Sequence, residues 1–80
     1  WMRRLEDEDF LTLLQVSRVG RITAEQHARM FGWEPMKSRA AMDRLARLGL
    51  LQKVREEEWA LRAVRMGMVH RALLQKGLLN

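Results

Sequence analysis

Met36, Lys37, Arg39, Ala40, Arg44 and Arg47 crowd into one short stretch, and their spacing decides what chemistry they can do. On a helix, Lys37, Ala40 and Arg44 succeed one another at i, i+3, i+7 and line one ridge. Small Ala40 between two cations lets such a ridge approach another surface closely. Arg39, Asp43 and Arg47 form the neighbouring row at i, i+4, i+8, where the aspartate is expected to pair with the arginines. Pairs of that kind steady a helix by a few tenths of a kcal/mol, roughly 0.2–0.5. An array of fixed positive charge binds polyanions and breaks no bonds. The plainer alternative is a solvated face laced with salt bridges.

Other chemistries find little support. Cysteine is absent, which excludes disulfides and thiol catalysis. His27 and His70 have no second ligand at metal spacing, and each is expected to be partly exposed or hydrogen-bonded. Ser17 and Ser38 have no base in their sequence context, and no glycine-rich phosphate loop or nucleophile elbow occurs. Neither an enzyme nor a cofactor or metal is expected. The chain has 80 residues, 48% apolar and 31% charged, the make-up of one globular domain with a small core. No apolar run nears the roughly 18 residues of a membrane span, and the N-terminal residues do not resemble a signal peptide. A cytoplasmic protein without a membrane partner is expected. A first residue other than Met points to part of something longer.

The net charge of +5 is unevenly spread. Residues 1–20 carry −1, residues 21–53 carry +4, residues 54–62 carry −1 and residues 63–80 carry +3. The excess falls on the cationic stretch and on the C-terminal segment, a distribution suited to a polyanion.

The elements that must position these residues can be read from caps and periodicity. A helix is expected over residues 5–19, with Glu6, Asp7, Glu8 and Asp9 at its dipole-favoured start and Phe10, Leu13, Leu14 and Ser17 facing inward. Ile22 could pair with a later strand. Thr23 and Gln26 have capping-box spacing, so a second helix runs over 24–31, with Ala28 and Phe31 inward and His27 and Met30 flanking. Gly32 ends it. Pro35 suits the first turn of a third helix, over 35–48, whose buried stripe is Ala41, Leu45 and Leu48, helped by Met42. Two short strands are expected within 51–62, joined through Glu56, Glu57 and Glu58, with Val54, Trp59 and Leu61 covering the helices. A last helix covers 63–76, and Val64, Met66, Met68, Val69, Ala72, Leu73 and Leu74 wrap round more than one face of it. Gly67 weakens that helix by roughly 1 kcal/mol relative to alanine unless something packs close there. The six methionines are expected mostly as core filler.

Three helices, a two-stranded hairpin and a closing helix, over about Glu6 to Lys76, resemble the winged helix-turn-helix family. SRAAMDRLARLGLLQK (Ser38 to Lys53) is the most specific carrier, similar to the family's recognition helix and its Gly-Leu step into the wing. TAEQHARMFGW (Thr23 to Trp33) resembles the preceding helix and turn, and LTLLQVSRVGRITAEQ resembles segments of bacterial plasmid replication and mobilisation proteins. The resemblance implies a mainly α domain over 1–80 with a small β-hairpin, and a recognition helix that enters the major groove. Met36, Lys37, Arg39, Ala40 and Arg44 match the groove-facing part of that helix. Lys37 and Arg39 are expected at base edges and Arg44 and Arg47 on phosphates. The departure is the acidic wing tip, which phosphate would repel. Sequence-specific binding of double-stranded DNA, by a transcriptional regulator or a replication or mobilisation factor, is therefore the expected function. The alternative is a protein-interaction module that uses the acidic wing. The surplus apolar surface of the last helix suggests a homodimer, or docking onto a following domain.

Overall fold

The computed structural model describes residues 5–78, in which four α-helices pack with a three-stranded antiparallel sheet. Helix α1 spans Asp7–Val19. It starts later than Leu5 because Glu6 is extended, with its amide donating to Asp9 Oδ2 at 2.8 Å, and Leu5 instead folds into the core. Phe10, Leu13, Leu14 and Val16 are its buried apolar residues. A short strand, β1 (Arg21–Thr23), leads directly into α2 (Ala24–Phe31). The Thr23 hydroxyl accepts from Gln26 N at 3.1 Å, while Thr23 N donates to Gln26 Oε1 at 2.9 Å. Both orphan donors at this helix start are thereby satisfied. Gly32 takes the left-handed conformation at φ 68° that turns the chain out of α2. Helix α3 then runs over Pro35–Arg47, with proline at its start, where no amide hydrogen is needed.

Strands β2 (Leu51–Arg55) and β3 (Glu58–Leu61) form a hairpin, and the sheet order is β1-β3-β2. Ile22 stands opposite Trp59, which makes Trp59 the centre of the middle strand. Its side chain is fully buried with Ile22, Leu51 and Leu61 beneath the helices. An irregularity between Lys53 and Arg55 shifts the register, and Val54 is only half-buried. The chain closes with a 3-10 turn (Ala63–Arg65) and helix α4 (Met66–Gln75).

Two inward faces and the placement of the methionines differ from expectation. On α3 the buried residues are Ser38, Met42 and Leu45, the same i, i+4, i+7 spacing shifted along the chain. Ala41 turns half-exposed toward α1, and Leu48 only flanks the core. A serine can occupy a core position here because a buried partner satisfies its hydroxyl. The helix expected over 63–76 begins as a 3-10 helix at Ala63–Arg65 and is α-helical over Met66–Gln75, with Val64 exposed rather than inward. Among the described methionines Met42 alone is buried, whereas Met30, Met36, Met66 and Met68 are on the surface. Among the described residues no helix is long and apolar enough to cross a membrane.

Candidate nucleic-acid interface

A buried polar chain sets the angle at which α2 presents α3. The Thr12 hydroxyl donates to Glu8 O at 2.9 Å. Its single hydrogen is thereby used, so at 2.7 Å from His27 Nε2 it must accept. Nε2 therefore carries the imidazole hydrogen, and Nδ1 accepts from the Ser38 hydroxyl at 2.8 Å. Three helices are thus tied through one neutral ring. Burial pushes the His27 pKa down from 6.5 to about 4, because no solvent reaches the ring to stabilise its charge. The sequence pattern had His27 at the edge of its helix and Ser38 without a base. A serine and a histidine do meet here, but both are fully buried and no substrate can reach them.

Around this tie stands an aromatic corner. The Phe31 ring lies edge-on to His27 at 4.3 Å between centroids, and Trp33, in the turn between α2 and α3, lies at 5.2 Å. Lys37 places its ammonium 4.0 Å from the centroid of the Trp33 ring, a cation–π contact that holds the lysine at the N-terminal end of α3.

The outer surface of α3 can now be assigned residue by residue. Met36, 78% exposed, together with Ala40 and Arg47, occupies the crest, with no carboxylate paired to Arg47 among the described residues. Lys37, Ala41 and Arg44, together with Ala40 and Arg47 of the crest, line an open groove shared with Trp33, Glu6, Glu8 and Asp9 of the neighbouring elements. There Arg44 Nη2 donates to Asp9 Oδ2, an ion pair whose carboxylate is nearly fully buried. On the opposite flank Arg39 Nε donates to Glu57 at the hairpin tip, at 3.0 Å. The expected row of Arg39, Asp43 and Arg47 does not form. Asp43 makes no ion pair among the described residues, since Arg39 turns away from it to a carboxylate on another element.

The six residues singled out from sequence thus share one helix but divide into a crest and two flanks, each flank facing acids. Thr12 was not singled out, and Asp9 and Glu57 were read as an acidic helix start and an acidic hairpin tip, without their partners on α3. Their partners lie on other elements, 15, 35 and 18 residues away, a separation to which helical periodicity is blind. Among the described residues no cluster of His, Asp or Glu could hold a metal ion. In comparisons with known proteins, no family model, no curated protein and no solved structure matches this chain.

Proposed function

We propose that the chain is a winged helix-turn-helix module that binds double-stranded DNA by laying the crest of α3 in the major groove. The observation that carries this reading is the crest itself: a small residue, Ala40, lies between exposed Met36 and Arg47, with Lys37 and Arg39 at its sides. Lys37 and Arg39 are assigned to base edges and Arg47 to phosphate. Arg44 adds phosphate contact through the donors that Asp9 leaves open. A regulator of transcription, or a replication or mobilisation factor, would use such a module inside the cell.

The test is anisotropy with a labelled generic duplex over a range of salt. If about four phosphates are neutralised, the dissociation constant should rise about a hundredfold for a fourfold increase in salt. Absence of binding at low salt would remove the proposal. The result would then favour the second reading, a protein-interaction module. That reading draws on the two ion pairs that already engage Arg39 and Arg44 and would use the acidic hairpin as a contact surface.

The proposal extends to self-association through α4. Val69 and Leu73 are buried, whereas Met66, His70 and Leu74, at i, i+4, i+8, lie exposed beside Gly67. A Cβ placed on Gly67 would meet nothing within 4 Å, so a partner helix could come close there. A two-fold dimer would set two α3 helices roughly 34–36 Å apart and call for a palindromic site. Leu74→Glu is expected to convert a dimer to monomer in sedimentation while the monomer stays folded, losing only the concentration-dependent part of its melting temperature. Leu73 is unsuitable for this purpose, because a charge at its buried position would unfold the domain. A wild-type chain that sediments as a monomer at every concentration would eliminate the dimer.

A further inference from the structure

The hairpin tip meets α3 at a carboxylate and a guanidinium. Both oxygens of Glu57 lie at 3.0 Å from Arg39 Nε. Of the three consecutive glutamates only Glu57 reaches α3, since Glu58 faces Arg55 at 4.0 Å and Glu56 is exposed. The backbone that carries Glu57 is itself fastened. Its carbonyl accepts from Ala24 N at 3.1 Å, and the next residue, Glu58, pairs with Thr23 in the sheet.

Glu57 is also the one non-glycine residue with positive φ among the described residues, at 66°. Glycine or asparagine is the usual occupant of such a position, and a longer side chain there is disfavoured. A glutamate at that position sacrifices backbone comfort and supplies a carboxylate at the end of a fixed arm. Strain of this kind points to a task for the side chain.

We infer that Glu57 is a specificity-setting positioning residue, which holds Arg39 by Nε so that its two Nη groups donate side by side to O6 and N7 of one guanine. The inference rests on the major-groove reading above. An unrestrained arginine can offer a base either its end, through both Nη groups, or its side, through Nε and one Nη. With Nε taken, only the end remains, and its fork matches the paired acceptors of guanine, which adenine, thymine and cytosine do not present. The carboxylate also keeps the guanidinium from swinging to the nearest phosphate, where it would add affinity without information.

The experiment selects binding sites from a randomised duplex pool with the intact chain, then titrates the selected duplex and its single-base variants. Wild type is expected to require guanine at one position, with roughly ten- to a hundredfold weaker binding when it is replaced. Arg39→Ala should abolish that preference, and Arg39→Lys, which can still donate to guanine but has no Nε for Glu57 to hold, should weaken it. Glu57→Gly relieves the positive φ and so should melt no lower than wild type, yet should shrink the preference severalfold with little loss of affinity for the substituted duplexes. A Glu57→Gly variant that binds every duplex more tightly and keeps its guanine preference would overturn the inference and leave Glu57 as a mere opposing charge. A wild-type preference that survives Arg39→Ala would overturn it as well, while leaving DNA binding intact. Failure of the wild-type chain to bind any duplex would defeat the underlying reading and this inference together.

Discussion

Acidification should destabilise the domain by about 3 kcal/mol through His27 alone. The ring has its ordinary pKa of 6.5 when unfolded and about 4 when folded, and each pH unit between the two corresponds to about 1.4 kcal/mol. Because the folded value is the lower one, the unfolded chain binds the extra proton first. The contribution is therefore complete above pH 6.5, is lost as the pH falls from 6.5 toward 4, and changes no further below that. Its structural cause is specific. A second ring hydrogen would sit on Nδ1, which now accepts from Ser38, so the serine hydroxyl would have to turn away while a charge was placed in the core. For a domain of this size about 3 kcal/mol corresponds to a fall of more than 10 °C in melting temperature. His27→Gln supplies the control, since glutamine can bond to Thr12 and Ser38 without titrating in this range. Relative to His27→Gln, the wild-type melting temperature should be highest near neutrality and should fall by roughly 10 °C or more as the pH drops toward 4. A gap independent of pH would show that the ring is not buried in neutral form. Because α1, α2 and α3 meet at this ring, acid should also loosen the presentation of α3 before the sheet is lost.

Legibility of the sequence divides along physical lines. The Thr23–Gln26 box, the Gly32 turn and Pro35 at the head of α3 are local devices, with every partner within a few residues, and all three are present. Ile22, in the short extended link that follows the first helix, could be paired with a later strand, and it stands opposite Trp59. The mostly helical character with a small antiparallel sheet follows from such signals. The inward face of α3 was less legible, because Ser38 carries no apolar mark and Ala41 does. Periodicity weighs hydrophobicity, and it cannot credit a hydroxyl whose partner is a histidine on another helix. The cations were the least legible. Spacing along α3 put Arg39, Arg44 and Arg47 on the outside, which says where a side chain starts and not where a long flexible one ends. Arg39 ends at Glu57 and Arg44 ends at Asp9. Both acids had ordinary local explanations, as a hairpin turn and as a helix start.

Arg44→Ala is accordingly expected to act first on stability. Asp9 is only 3% exposed, and apart from Arg44 its carboxylate has the Glu6 amide as partner. Removing the guanidinium would leave a buried charge short of a donor, a change that costs roughly 3–5 kcal/mol when both partners are buried. The Arg44 side chain is 39% exposed, so water can replace part of what is lost and the expected cost is nearer 2 kcal/mol. On this scale the melting temperature should fall by roughly 10 °C. A double-mutant cycle with Asp9→Asn separates this from lost helix packing. Once the carboxylate is neutral, Arg44→Ala should cost markedly less, giving a coupling of roughly 1–2 kcal/mol. The same cycle sorts the cations of α3 by role. An arginine whose business is phosphate would lose duplex affinity on truncation and leave the melting temperature unchanged, which is the expectation for Arg47. If Arg44→Ala instead leaves stability intact and removes only duplex affinity, the Asp9 ion pair contributes nothing to the fold. Arg44 would then stand beside Arg47 as a phosphate contact.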